Sequence, residues 1–234
     1  MLQRERELQL LNELKQSEIA NVITKGLNSN VKMKDSGIPW IGMIPEHWNV
    51  TKINSVFTER REKVSDKIYQ ALSVSKQGIT LQLETAVKTD NGDNRKKVCI
   101  GDFVVNSRSD RKGSCGISPL TGSVSLINIV LKPRIEIEGM YFHYLFRSNN
   151  YIEEFYRIGR GIVADLWTTR FCDMKNIVIP IPPLDEQKTI VAYIENKCNK
   201  ISCLIDELEA EIAYLKEYKQ KLIADCVTGQ IKVD

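Results

Sequence analysis

The sequence predicts an α+β fold: one globular mixed domain of about 150 residues, a long amphipathic, coiled-coil-like helix at the C-terminus, and a short related helix at the N-terminus. Three features of the chain point to it. The 234 residues, 42% hydrophobic and 27% charged, have globular composition with room for one such domain and a remainder. Apolar residues near the end recur at helical spacing, and the first residues of the chain repeat the last.

The C-terminal helix is the plainest element. Ile179-Pro180-Ile181-Pro182-Pro183 cannot continue a helix, but Pro183 followed by Leu184, Asp185 and Glu186 starts one, with acids where the helix dipole favours them. Apolar side chains then fall at Ile190, Ile194, Ile201, Leu204, Leu208, Ile212, Leu215 and Leu222, with Lys197 and Lys219 at the two lapses. Nothing breaks the pattern before Gly229, so a helix is expected over Leu184–Val227, roughly 66 Å long at about 1.5 Å per residue. The step from Leu208 to Ile212 predicts a local stutter in the heptads. So long a stripe asks for another helix. Ile194, Ile201, Leu204, Leu208, Ile212, Leu215 and Leu222 are the expected interface, and packing on its own domain is the alternative.

Glu7–Thr24 (ELQLLNELKQSEIANVIT) aligns without gaps on Glu211–Thr228 (EIAYLKEYKQKLIADCVT). Glu7/Glu211, Leu11/Leu215, Glu13/Glu217, Lys15/Lys219, Gln16/Gln220, Ile19/Ile223, Ala20/Ala224 and Thr24/Thr228 are identical, and amphipathicity alone does not demand the polar matches. The chain thus begins with a copy of the helix on which it ends, as one unit of a tandem array would. Expected boundaries are residues 1–27 for the first helix, 31–181 for the domain and 182–234 for the long helix and tail. Within the domain, Val98–Val105, Val124–Leu131 and Asn176–Ile181 look like strands and Tyr141–Phe155 like a helix. Thr89–Asn94 and Ser109–Gly116 look like loops.

Net charge is +3, but its distribution is uneven. Residues 1–27 balance, Asp185–Asp225 is acidic, and residues 28–184 hold 22 basic against 16 acidic side chains. The middle is therefore basic, as a polyanion-binding domain would be, although ordinary surface variation reaches the same excess. No run approaches the roughly 18 apolar residues of a membrane span, and the start, MLQRERELQLLNELKQ, is charged and amphipathic rather than a signal peptide. A cytoplasmic protein without a membrane partner is expected. The six cysteines, Cys99, Cys115, Cys172, Cys198, Cys203 and Cys226, include no CxxC pair and read as buried thiols rather than as a zinc site or disulfide framework.

Catalytic constellations are missing. There is no GxxxxGK[ST] phosphate loop and no HExxH, and Gly159-Arg160-Gly161 is not completed to GxGxxG. The single Pro-Pro lies between Ile181 and Leu184, unlike the base-gripping loop of amino-directed adenine methyltransferases. Glu186-Gln187-Lys188 reads as helix-start chemistry rather than a nuclease cluster. Asp90-Asn91-Gly92-Asp93 reads as a turn rather than a calcium loop.

Three pieces in order carry a family resemblance: Asp35-Ser36-Gly37-Ile38-Pro39-Trp40-Ile41-Gly42-Met43-Ile44-Pro45-Glu46-His47-Trp48, then Gly101-Asp102-Phe103-Val104-Val105, then Ile181-Pro182-Pro183-Leu184-Asp185-Glu186-Gln187 opening a helix that ends Leu222–Ile231. Together they span nearly the whole chain, which resembles the DNA-specificity subunit of type I restriction-modification systems. In that family two target-recognition domains, each reading half of a split site, are held apart by two antiparallel helices. This sequence has one such domain, so it resembles a half-size subunit or the second half of a longer one.

The resemblance implies a non-catalytic protein that binds double-stranded DNA. A modification (methyltransferase) subunit and a restriction (motor-nuclease) subunit are its implied partners, and adenine methylation and cleavage are carried out there. No cofactor is expected on this chain: S-adenosylmethionine, ATP and magnesium belong to the partners. Two copies are expected to pair through the long helices, with one interface patch serving both.

Base reading calls for Arg or Lys against guanine and Asn or Gln against adenine, beside residues that grip phosphate. The first candidate is Asn106-Ser107-Arg108-Ser109-Asp110-Arg111-Lys112-Gly113, a basic loop after a strand, whose terminal glycine allows close backbone approach. Arg108, nearest the strand that positions it, is expected to read a base, with Arg111 and Lys112 on the backbone; Arg108 and Arg111 are not both expected to be bystanders, since a loop so basic beside Asp110 alone would repel itself. Arg157 and Arg160, then Thr168, Thr169 and Arg170 beside Trp167, are second candidates, and Lys76 and Gln77 a third. Each is a plain solvated loop on the alternative view. A structural or regulatory protein acting through its helices without sequence-specific DNA binding remains the competing function, and an unrecognised enzyme the third. Salt-dependent duplex binding separates the first two.

Overall fold

The computed structural model describes residues 2–83, 92–161 and 167–230, which divide into two units: residues 20–191, and residues 1–19 with 192–234. In chain order the elements are α1 (Leu2–Lys25), β1 (Met33–Asp35), β2 (Met43–Pro45), β3 (Asn49–Lys52), α2 (Ile53–Val56), β4 (Phe57–Glu59) and β5 (Lys63–Val64). A hairpin follows, β6 (Leu72–Ser75) and β7 (Gly78–Leu81), then β8 (Arg95–Val98), β9 (Phe103–Asn106), β10 (Cys115–Ile117), β11 (Gly122–Val124) and β12 (Asn128–Pro133). The chain closes with α3 (Gly139–Arg147), α4 (Asn149–Arg157), α5 (Phe171–Met174), β13 (Val178–Ile181) and α6 (Leu184–Val227). Mixed α+β architecture with a long terminal helix is thus observed, and α6 has the bounds that its periodicity predicts over 44 residues. The loop expected at Thr89–Asn94 lies partly outside the described residues, as does the tail beyond Gln230.

In the larger unit the antiparallel sheet β10-β9-β12-β4 is covered on both faces, and all four residues of β9 are buried. Alternation along the strand sorts them. Phe103 points to the helices and meets Phe146 edge to face at 5.0 Å, within an aromatic cluster that includes Phe57, Phe142, Tyr151 and Phe155. Val104, paired with Val130, points the other way, into a cluster with Leu72, Ile79, Val98 and Val124 from the hairpin and the sheet β11-β8-β5.

Three predicted elements are each broken in two. The strand expected over Val98–Val105 turns at Ile100 and Gly101, where Asp102 is buried and accepts from the Cys99 N–H at 2.8 Å and from Arg60 at 2.7 and 3.0 Å. That pairing raises the Arg60 pKa. Val124–Leu131 turns at Ser125–Ile127, where the Asn128 N–H donates to the Ser125 carbonyl at 3.0 Å. The helix over Tyr141–Phe155 stops at Ser148, whose backbone is extended and whose hydroxyl donates to the Leu145 carbonyl at 2.7 Å and caps α4 through the Tyr151 N–H.

The first and last of the motif segments quoted for the resemblance meet in one knot. Glu186, in the first turn of α6, accepts from the indole N–H of fully buried Trp48 at 3.0 Å and lies 2.8 Å from His47 Nε2. Gln187 donates to the Pro182 carbonyl at 2.9 Å and accepts from the Glu138 N–H at 3.0 Å. The Tyr141 hydroxyl reaches the carbonyls of Ile23 and Pro180, and β13 pairs antiparallel with β3. These residues hold the domain closed, which is a structural use for Glu186 and Gln187.

In the smaller unit α1 runs antiparallel to α6: Arg4 pairs with Glu211 at 3.1 Å, Lys15 with the Ser202 hydroxyl at 2.8 Å, and Glu18 with the Tyr193 hydroxyl at 2.6 Å. Packing against α1 shifts the stripe expected on α6 at one position, Leu204. Ile194, Ile201, Leu208 and Ile212 are buried and Leu215 half-buried, but Leu204 is 51% exposed and Leu222 41% exposed. From Ile194 to Leu215 the covered apolar positions are Ile194, Cys198, Ile201, Ile205, Leu208, Ile212 and Leu215, an unbroken alternation of fours and threes. The expected stutter came from following Leu204 instead of its neighbour Ile205. Among the described residues no helix is long and apolar enough to cross a membrane.

Candidate nucleic-acid interface

Three of the candidate segments, far apart in sequence, form one patch on the larger unit. Thr168 lies between the other two as a short ladder: its N–H donates to the Arg160 carbonyl at 3.0 Å and its carbonyl accepts from the Arg160 N–H at 2.9 Å, while a bridge joins it to Arg108 on the other side. The Ser109 N–H donates to the Trp167 carbonyl and the Thr169 N–H to the Ser107 carbonyl, each at 3.0 Å. Helix α4 fastens the patch from beneath. The Tyr156 hydroxyl donates to the Arg108 carbonyl at 2.9 Å, and the Trp167 indole N–H donates to the Tyr156 carbonyl at 2.8 Å. Gly159 makes room for that indole, since a Cβ there would run into it.

The side chains divide into two groups. Asn106, Ser107 and Thr169 are buried at 8%, 6% and 0% exposure and serve the scaffold. Asn106 Oδ1 accepts from the Arg108 N–H, the Ser107 hydroxyl donates to the Ile127 carbonyl, and the Thr169 hydroxyl donates to the Phe155 carbonyl. Arg108, Arg111, Lys112, Arg157, Arg160 and Arg170 lead outward. Most of these cations carry a nearby acid: Arg108 and Arg111 share Asp110 at 3.1 and 3.6 Å, Lys112 meets Glu153, Arg157 meets Glu154 at 2.7 Å, and Arg160 meets Asp173 at 3.2 Å. Glu154 raises the Arg157 pKa through its hydrogen bond. The loop is therefore compensated, with Glu153 adding to Asp110, and self-repulsion does not force Arg108 or Arg111 into contact with a ligand. Gly113 also has a local use: its φ of +74° suits glycine, and a Cβ there would crowd the Ile152 side chain.

Lys76 and Gln77 sit apart from these contacts, exposed at the turn of the β6–β7 hairpin, where the Arg147 guanidinium donates to the Lys76 carbonyl and, at 3.2 Å, to the Cys115 carbonyl. Beside the patch lies a cleft of about 420 Å³ lined by Glu59, Arg61, Lys96, Ser107, Ile127 and Thr168–Arg170 among others. Lys96 and Arg61 flank Glu59 at 3.0 and 2.7 Å, and Lys96 also donates to the Asn128 carbonyl at 2.8 Å. These residues escape the sequence reading. Their signal was the charge runs Glu59–Lys63 and Arg95–Lys97, which look like solvated strand faces until folding brings them to one cleft. Among the described residues no three His, Cys, Asp or Glu side chains are grouped to hold a metal ion.

A ridge of outward arginines on a small mixed domain, with an antiparallel helix pair as a second unit, is the class of protein these elements define. The sequence matches the family model for the type I restriction modification DNA specificity domain over residues 12–214, and the chain belongs to that family. It is 25% identical to a putative type I restriction enzyme MjaX specificity subunit of Methanocaldococcus jannaschii, over 97% of this chain and 53% of that protein. The fold resembles a chain from a structure of a type I R-M system described for its complex assembly and conformational transition, with TM-score 0.64, 18% identity, and coverage of 95% of this chain and 53% of that one. It also resembles the HsdS subunit from Thermoanaerobacter tengcongensis, with TM-score 0.52, 18% identity, and coverage of 97% and 53%. The chain spans about half the length of the relatives it matches.

Proposed function

We propose that the chain is a sequence-specific DNA-recognition subunit, or half of one, that addresses adenine methylation and restriction carried out by partner subunits. The family match over residues 12–214 carries this reading. The patch supports it, because Arg108, Arg111, Lys112, Arg157, Arg160 and Arg170 project from a backbone that Tyr156, Trp167 and Thr169 hold in place. Arg108 is assigned to a base edge and the other cations to phosphates. S-adenosylmethionine, ATP and magnesium are assigned to the modification and restriction subunits. Since the chain contains one recognition domain, a split target needs a second, which another copy supplies through the long helices.

Methylome sequencing of cells that express this chain with its cognate modification subunit tests the assignment. A split motif methylated on adenine is expected, palindromic when two identical copies read it. Methylation unchanged by the presence of the chain would overturn the proposal.

A further inference from the structure

The internal repeat and the packing of α1 bear on each other. From Arg4 to Glu18 the covered positions on α1 are Arg4, Leu8, Leu11, Lys15 and Glu18, spaced by fours and threes. Carried through the repeat, they correspond to Leu208, Ile212, Leu215, Lys219 and Leu222, which is the α6 stripe and its continuation. What α1 lays on α6 is therefore a copy of the end of α6. The far end of the original is uncovered: α6 runs on past its contacts with Arg4 and Glu5, and there Tyr218, Leu222, Ile223 and Val227 are 55%, 41%, 53% and 81% exposed.

We propose that α1 occupies on α6 the seat of a second copy's residues 211–228, so that the chain carries an internal competitor of its own dimerisation. The repeat identifies the occupant. Lys15 and Lys219 correspond, so a second copy's Lys219 meets the Ser202 hydroxyl that Lys15 now holds at 2.8 Å. Arg4 corresponds to Leu208 and Glu18 to Leu222, so the second copy replaces two charged stripe residues with leucines and buries more apolar surface. The contacts are also reciprocal. Arg4 opposite Glu211 becomes a second copy's Leu208 opposite Glu211, which puts the two-fold axis near Glu209 and Ala210, as an isologous pair requires. With the chain taken as half of a two-domain recognition unit, release of α1 is the step that admits the second half.

The test is the mass of the full-length chain in solution, by sedimentation or light scattering, with helix content followed by circular dichroism. The unaltered chain is expected to be monomeric at micromolar concentration. Leu8→Glu with Leu11→Glu loosens α1 alone and is expected to tighten dimerisation by about tenfold or more. Adding Leu222→Glu, at a position beyond the α1 contacts, is expected to return that variant to a monomer. The idea is overturned by an α1 variant that stays monomeric with its helices intact, by an unaltered chain that dimerises as tightly as the variant, or by a triple variant that remains dimeric. No DNA enters the measurement, so loss of DNA recognition and loss of this competition are read separately.

Discussion

His143 shows how far a single residue is fixed by its surroundings. Burial, and then the Arg147 guanidinium, push its imidazole down to about 4 from the ordinary 6.5, and its Nδ1 is enclosed without a hydrogen-bond partner in the structure. Because the folded pKa is depressed, the unfolded chain binds a proton between pH 6.5 and 4 that the folded chain does not. The contribution of this group to stability is therefore complete above that window and falls as the pH drops through it. The loss from this group reaches at most about 3 kcal/mol at the acid end. Urea unfolding at pH 7, 5.5 and 4.5 is expected to show a shallower acid loss for His143→Phe than for the unaltered chain, and equal slopes would refute the assignment. Such a residue is opaque in a sequence, where His143 is one polar position on an aromatic helix. Glu186 was legible as a helix-start acid, but its hold on Trp48 depends on a residue far away in the chain.

Elements were legible where local chemistry decides them. The bounds of α6 follow from Pro182-Pro183, the first-turn acids and the apolar spacing, all written within the segment itself. The stripe was less legible, because Leu204 and Ile205 are both apolar and both satisfy a spacing of three or four from Ile201, and only the partner helix chooses between them. That choice has a measurable consequence. Leu208→Ala, at a position 7% exposed, is expected to cost about 2–5 kcal/mol in the unfolding of the helix pair. Leu204→Ala, at a position 51% exposed, is expected to change stability by less than about 0.5 kcal/mol. Equal losses at the two sites in thermal melts would restore the sequence-derived stripe. The breaks at Ser148 and Gly101 were missed for another reason: apolar runs hid the caps and turns embedded in them.

At the scale of the whole molecule, the candidate interface is an assembly that no local window contains. The segments around Arg108, Arg160 and Thr168 were each legible as basic or polar loops, but their union, and the addition of Arg61 and Lys96 beside them, follows from strand order and from α4. Their acids keep the excess of positive charge modest, so binding is expected to fall steeply with salt only in proportion to the cations that leave those acids for phosphate. Arg111→Ala is expected to weaken binding to every duplex alike and to flatten the dependence of log K on log salt by about one unit. Arg108→Ala is expected to cost about 1–3 kcal/mol on the preferred duplex and to relax discrimination at one position. Filter binding across salt, on the preferred and a scrambled duplex in the presence of the modification subunit, separates the two. Uniform losses from both variants would reassign Arg108 to the backbone.

The closure around Trp48 has a consequence for how such a domain changes over time. Its entry at Gly26 and its exit at Glu186 lie side by side, with the Glu186 carboxylate close against the Gly26 backbone and the first long strand zipped to the last. A domain whose ends touch is a cassette: it can be lifted out and another of the same plan spliced in, while the two flanking points stay at one fixed separation. Exchange by recombination therefore needs matching sequence only at the clasp, in the segments that carry Ile44–Trp48 and Pro180–Gln187. On the proposed function, a new target preference would then be acquired whole, in a single genetic event, rather than assembled one side chain at a time.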